Sequence, residues 1–462
     1  MSEKRAMKNL RVREASGKNA ITRRSAHMVR SHPGPKTVKL FERGQQCFSW
    51  PDEFVNKLMI SRASGAVIED VDGNSYLDFS ESVSSVGHCN PYVVDAVKDQ
   101  VERFIHTSGS VGHTEPFVEL AEQLKKILPL RAAGSRIAYT ASGTEACDFA
   151  MGISRRYTRR AIILAYHDAY HGMTGSTVTI SGSATSRLDG VSTISETAYI
   201  PYPNCYRCML GQNYPECEIS CLNYVETVME SVAGPESIAA IFFEPIQVHG
   251  GIIVPPPDYF RKLEKICREN GIMLVDDEVF TGFGKTGRFF AIEHWKISPD
   301  IVCMGKAMGA GLPMGAIACR ENYMKSGPGR GGRFGSFGGN PIAAAASLAG
   351  IRAIKDQKML SNASRVGEYM MKALSDMQSD FGYFGDIRGK GLLIGVELVE
   401  DEKKTPSVKK AQRLVKRAIE RGLIISRAGR HHNVVKLNPP LMVTMEQAAE
   451  AIEILRAAAK DP

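Results

Sequence analysis

The stretch Ile301-Val302-Cys303-Met304-Gly305-Lys306-Ala307-Met308-Gly309-Ala310-Gly311-Leu312-Pro313-Met314-Gly315-Ala316 sets one lysine in a run otherwise made of apolar and small residues. A solvated lysine usually has polar company, and Lys306 has none for several residues on either side. Apolar surroundings strip water from an ammonium and pull its pKa down. A neutral amine attacks carbonyls, so this is a setting for a Schiff-base lysine. The glycines around it leave the backbone open to a flat cofactor. The competing reading is a lysine snorkelling out of a buried loop, and the rest of the chain decides between them.

Outward from Lys306 the chain alternates short apolar runs with amphipathic ones. Strands are predicted at 136–140, 161–165, 176–180, 238–243, 271–275, 301–303 and 315–319. Helices are predicted between several of them, as at 145–157 and 257–270. Continuous apolar strands alternating with helices imply a largely parallel sheet covered on both faces. Ligands of such sheets bind at the carboxyl ends of the strands. Upstream, residues 58–79 read as a β meander turning at Asp72-Gly73, and helices are predicted from Pro91 and over 116–128. Downstream, a glycine-rich stretch at 327–339 precedes a helix at 341–355. An α+β region follows, with strands at 391–398, 423–426 and 434–437 and helices at 408–421 and from Met445. The expected division is a basic arm (1–35), a segment packing with the small domain (36–100), a large domain (101–340) and a small domain (341–462).

Residues 1–40 carry 11 Lys/Arg and 2 Asp/Glu, a net +9, so the chain total of +8 leaves the remainder near −1. The basicity belongs to the arm, which reads as solvated or packed on a partner, and nucleic acid is not the expected ligand. No run of about 18 apolar residues and no apolar core behind the first basic residues appear, so the expectation is a cytoplasmic protein without a membrane span. Of ten cysteines, Cys205, Cys208, Cys217 and Cys221 cluster. Their paired spacing resembles that of zinc ligands, although the second pair is separated by three residues. No metal is expected, with a structural metal or a local disulfide left open.

Ser142-Gly143-Thr144-Glu145 follows a predicted strand and opens a helix, where free N–H groups and the helix dipole suit a phosphate; a plain capping box is the alternative. Tyr170-His171-Gly172 follows the next strand and offers an aromatic face. Asp276-Asp277-Glu278 puts acids at the end of a buried strand, where a carboxylate needs a partner such as a protonated pyridine nitrogen. Gly282-Phe283-Gly284-Lys285-Thr286 fails the phosphate-loop pattern, because the first glycine would fall at Val279, and Lys285 has polar neighbours. The ordered set of phosphate turn, stacking aromatic, strand-end acid and apolar lysine suits pyridoxal phosphate.

In this order the motifs resemble those of the class-III (omega-type) aminotransferases over residues 57–444. The matching residues include Asp70-Val71-Asp72-Gly73, Ser142-Gly143-Thr144-Glu145-Ala146, Tyr170-His171-Gly172, Glu244-Pro245-Ile246-Gln247, Asp277-Glu278-Val279, Lys306, Arg388-Gly389 and Pro439-Pro440-Leu441. The resemblance implies an α/β, fold-type I enzyme with a mostly parallel seven-stranded sheet and a smaller α+β domain. It implies ping-pong transfer of an amino group between a primary amine (an omega-amino acid, amino sugar or similar) and an oxo acid, aldehyde or ketone. Isomerisation on the same fold, by an aminomutase, racemase or epimerase, is the alternative. Lys306 is implied to hold pyridoxal 5′-phosphate covalently and move the substrate proton, and Asp277 to keep the ring nitrogen protonated. Ser142, Gly143, Thr144, Tyr170, His171 and Glu244 are implied cofactor contacts. Ser336 is implied to reach the phosphate of the neighbouring subunit in a homodimer with shared active sites. The chain departs from the family at His249, Phe280 and Lys436, which stand where glutamate, glutamine and the carboxylate-gripping arginine are usual. These three are the expected substrate residues.

Overall fold

The computed structural model describes residues 25–48, 57–107, 111–130, 134–182, 196–327 and 335–460. Most of the basic arm, residues 1–24, lies outside them. Its end does not: Asn74 accepts from the N–H groups of Val29 and Arg30 at 2.8 Å, and His27 bridges Ser75.

The central sheet has seven strands. They are β1 (Ser135–Thr140), β2 (Ile162–Tyr166), β3 (Thr197–Ile200), β4 (Ile238–Phe243), β5 (Met273–Asp277), β6 (Ile301–Met304) and β7 (Gly315–Arg320). Their spatial order is β1-β7-β6-β5-β4-β2-β3. All neighbours are parallel except β7, which is antiparallel to both β1 and β6. Side chains alternate faces along a strand. Val275 and Phe242 therefore join one buried layer with Cys147, Phe149 and Ile153 of the helix Gly143–Thr158. Leu274 and Phe243 join the opposite layer with Phe260 and Leu263 of the helix Tyr259–Glu269 and with Trp295. Apolar layers on both faces explain why these strands are nearly all apolar.

One strand assignment is corrected. Residues 176–180 do not pair; Thr177–Ile180 is a short helix, and β3 is the sheet's edge strand instead. A second sheet contains the meander Ile60–Ser64, Val67–Asp70 and Ser75–Asp78, turning at Gly73 with φ +92°. Its fourth strand, Leu423–Ile424, comes from near the other end of the chain. A third sheet runs Phe384–Lys390, Leu393–Leu398, Val434–Leu437, Ser426–Ala428. A 22-residue helix, Met359–Asp380, packs against the first of these strands. Among the described residues no helix is long and apolar enough to cross a membrane.

Candidate active site

Five of the central strands deliver a functional residue within four positions of their carboxyl ends. Thr140 leads to the Ser142-Gly143 turn, Tyr166 to Tyr170, Phe243 to Glu244, and Met304 to Gly305-Lys306, while β5 ends on Asp277 itself. Together they line one cavity of about 400 Å³. The cavity wall includes Ser142, Gly143, Thr144, Tyr170, His171, Glu244, His249, Asp277, Phe280, Lys306 and Lys436. Of the residues singled out in the sequence for this site, only Ser336 lies elsewhere. It is exposed, and its carbonyl accepts from His106 at 3.1 Å.

The phosphate turn is built by the sequence around it. Ser142 caps the helix through its Oγ, which accepts from the Glu145 N–H at 3.2 Å, and Glu145 in turn accepts from the Ala141 N–H at 2.7 Å. Ser142 therefore caps the helix, but the capping box does not close, because Glu145 takes the N–H of Ala141 and not that of Ser142. The cap leaves the anion reading intact, because the N–H groups of the first helical residues, Gly143 and Thr144, have no acceptor within their own helix. A Cβ on Gly143 would meet Val279 Cγ1 at 2.5 Å, and one on Gly305 would meet Gly143 Cα at 2.9 Å. Backbone thus touches backbone where the phosphate turn meets the lysine loop.

Lys306 is half-buried in an apolar loop, and desolvation holds its pKa below the ordinary lysine value against the pull of Asp277 and Glu244. Its backbone lies at φ +42°, a conformation that costs a non-glycine residue about 1–3 kcal/mol and collects at functional sites. Its Nζ sits 4.8 Å from the centre of the Phe280 ring, and Lys436 Nζ sits 5.0 Å from the same ring. Burial and the charge of Lys306 press Lys436 down to about 8.

Asp277 is the buried anion of the site. Its Oδ2 meets His171 Nδ1 at 2.6 Å and accepts from Cys147 Sγ at 3.4 Å, and its Oδ1 accepts from the Val279 N–H at 3.0 Å. Burial works against the charge, but the His171 hydrogen bond and charge prevail and the carboxyl stays below the usual Asp range. Burial lowers the His171 pKa, yet Asp277 outweighs it and the imidazole rises to about 10. The two shifts agree on a charged pair. Glu244 behaves differently. Desolvation lifts it to about 7, although it accepts from the N–H groups of Tyr170 (3.0 Å) and Val248 (3.2 Å). Tyr170 stacks on His249, ring centres 5.0 Å apart.

Two acids beside Asp277 have other roles. Glu278 is a structural anchor, accepting from the Thr281 hydroxyl and from the Ile292 N–H at 2.8 Å. Asp276 faces the opposite side of the sheet, fully buried, with neither carboxylate oxygen partnered among the described residues; burial and the adjacent acids raise its pKa. Lys285, despite its polar neighbours in sequence, is fully buried and donates to the carbonyls of Glu81 (2.8 Å) and Pro439 (3.0 Å), which makes it a staple between distant segments. Sequence reasoning passed over Cys147. Cys147 sits one turn into the helix that starts at Gly143, and that position was its only signal.

The site fits pyridoxal phosphate. One cavity is lined by a glycine cradle at a helix N-terminus, by a buried anion paired with an imidazole whose Nε2 has no partner among the described residues, and by a desolvated amine.

A family model described as aminotransferase class-III matches residues 50–459. Leucine/methionine racemase of Thermococcus litoralis is 40% identical over 403 residues, covering 87% of this chain and 90% of that protein. Alanine/serine racemase of Pyrococcus horikoshii is 37% identical (93% and 91% covered), and 4-aminobutyrate aminotransferase of Mycobacterium leprae is 34% identical (93% and 97%). Among solved structures, a Bacillus anthracis aminotransferase superposes with a TM-score of 0.84 at 30% identity over 92% of this chain and 99% of that one. An amine transaminase from an uncultivated Pseudomonas species, in its PLP-bound form, gives 0.82 at 27% identity, covering 90% and 97%.

Proposed function

The chain belongs to the class-III aminotransferases, a pyridoxal-phosphate-dependent family, and on that premise we propose that its amine substrate is an amino acid with an apolar side chain. The observation that carries this reading is the shared Phe280 face. The reactive lysine and a second half-buried lysine, Lys436, flank one aromatic ring. A substrate whose amine lies at Lys306 can set its carboxylate against Lys436 and its side chain against Phe280. Lysine offers a point charge rather than arginine's fork, so the carboxylate is held by charge without a fixed plane. The names of the relatives agree in kind: leucine/methionine, alanine/serine and 4-aminobutyrate are all amino acids.

Each residue then has a role. Gly143 and Thr144 bind the phosphate through helix N–H groups. Tyr170, backed by His249, forms the ring wall. When bound, the cofactor supplies an electron-withdrawing ring that makes the carbon bearing the amine acidic. Asp277, kept anionic by His171, holds a proton at the ring nitrogen. Lys306 Nζ, its pKa lowered by burial, takes and returns the substrate proton. His249, with its pKa lowered by burial and by Lys436, presents a neutral ring where a carboxylate would attract a cation. Ser336, exposed beside the exposed Phe337, is offered to the cavity of a second copy in a homodimer.

Racemisation of the same amino acid is a second reading, favoured by the 40% and 37% identical relatives. Both reactions need Lys306 and Asp277, and they differ in whether the amine leaves the substrate. The test is to incubate the holoenzyme with single L-amino acids in D₂O, with and without an oxo acid. Oxo-acid-dependent amine transfer, with bleaching of the cofactor band in its absence, is the expected result. Deuterium at the α carbon with appearance of the D-enantiomer and no bleaching would replace transamination by racemisation. No reaction with any apolar amino acid would overturn the substrate assignment.

A further inference from the structure

The four clustered cysteines lie apart from the site just described. Between β3 and the helix Cys221–Ser231, residues 201–220 contain no helix or strand. Connections of this length without regular structure are uncommon in packed domains and are usually functional. The segment is pinned at its ends, by Tyr202, whose hydroxyl donates to the Glu244 carbonyl at 2.7 Å, and by the buried Ile219. Between them no residue from 204 to 218 is buried, and Met209, Leu210 and Tyr214 are exposed. It therefore has no apolar core to hold its shape. Even so, it positions Arg207, which pairs with the buried Glu397, itself paired with Arg388 at 2.7 Å.

All four thiols line one cavity, and none is in a disulfide. The backbone turns after the first pair, with Gly211 N–H bonded to the Cys208 carbonyl at 3.1 Å, and within the second, with Ser220 N–H bonded to the Cys217 carbonyl at 2.9 Å. No three of the sulfurs lie within 4.8 Å of one another in this conformation. Rotation about χ1 swings a cysteine sulfur between staggered wells, so metal binding here calls for rotamer changes that bring the sulfurs together.

We propose that Cys205, Cys208, Cys217 and Cys221 form a structural, mononuclear zinc–tetrathiolate site that fixes this segment and the Arg207 side chain it presents. Four thiolates and no open position make a closed site, which is the structural rather than catalytic kind. On binding, the four thiols release their protons to solvent, four S–Zn bonds form, and nothing is oxidised. A local disulfide within each pair would close two small loops and leave the halves of the segment untied.

The test is elemental analysis of the reduced holoenzyme after exposure to zinc and gel filtration, followed by titration with a mercurial thiol reagent while a zinc indicator is read. About one zinc per chain, released in step with modification of these four cysteines, is expected. Cys208→Ser and Cys217→Ser, one from each pair, should each lower zinc occupancy by about tenfold or more while the cofactor absorbance persists. The wild-type stoichiometry decides the matter even if a variant does not fold. Four freely alkylated thiols with no bound zinc, intrapair disulfides in a non-reduced peptide map, or iron with labile sulfide would each overturn the proposal.

Discussion

Replacing Asp277 by asparagine tests the buried pair on which the site's electrostatics rest. His171 and Asp277 meet at 2.6 Å with both side chains almost wholly out of solvent. His171 is raised from 6.5 to about 10. At about 1.4 kcal/mol per unit, that is about 5 kcal/mol of linkage, and removing one partner of a buried pair costs about 3–5 kcal/mol. Asparagine still accepts a hydrogen bond from Nδ1–H, returning about 1 kcal/mol. A net loss of about 3–4 kcal/mol at pH 7 follows. The sign of its pH dependence is fixed. A raised His pKa contributes stability that is fully present below about 6.5 and is lost as pH rises through about 10. The lowered Asp277 pKa contributes stability present above the ordinary Asp value and lost as pH falls through its folded pKa. The assay is urea unfolding of cofactor-free protein in a Trp50→Phe background, so that Trp295 of the large sheet's core reports. The wild type should exceed the variant by about 3–4 kcal/mol at pH 7 and by under about 1 kcal/mol near pH 11. A gap below about 1 kcal/mol at pH 7, or one unchanged at high pH, would refute the charged pair.

Borohydride treatment of the holoenzyme should fix the cofactor label on Lys306 and leave Lys285 unlabelled; peptide mapping that finds the label on Lys285 would overturn the assignment of the reactive amine. Gly305→Ala should weaken cofactor binding by about tenfold to a hundredfold, because its Cβ meets Gly143 at 2.9 Å and relieving overpacking costs about 1–3 kcal/mol; titration with the absorbance of the bound cofactor reads it, and unchanged affinity would contradict the contact. Lys436 titrates near 8, so KM for a carboxylate-bearing substrate should rise as pH passes about 8 while KM for an amine lacking a carboxylate stays flat. The Lys436→Met variant should lose that distinction, and a pH profile identical to the wild type would remove Lys436 from substrate binding.

Much of the site was legible because strand periodicity is local. Asp276, Asp277 and Glu278 follow the stretch 271–275 that reads as a buried strand, and the choice of Asp277 among the three came from the family resemblance. Lys306 was legible from the absence of polar neighbours. The strand at 176–180 was misread because Thr177, Val178, Thr179 and Ile180 have the composition of a strand. Whether so short a run pairs is decided by a partner elsewhere, and Ile163 to Tyr166 of β2 take Thr197 to Ile200 instead. The burial of Lys285 was not legible, for the converse reason. Its neighbours in sequence are polar, but its fate is set by carbonyls from residues 204 and 154 positions away. Nothing in the composition of 204–218 signals that Arg207 reaches the buried Glu397, because that partner lies 190 positions along the chain.

The contact between Gly143 and Gly305 has a consequence for which molecules the cavity accepts. Two loops from separate strands lie with their backbones in van der Waals contact, so the anion-binding turn and the lysine cannot shift independently. The protein thereby fixes a length, from the helix N-terminus to Lys306 Nζ, as a gauge block fixes a gap. A cofactor analogue stretched by one methylene between ring and phosphate changes that length without changing charge or ring chemistry. It would have to leave either the turn or the amine unmet, and selection among vitamers would follow from dimension alone.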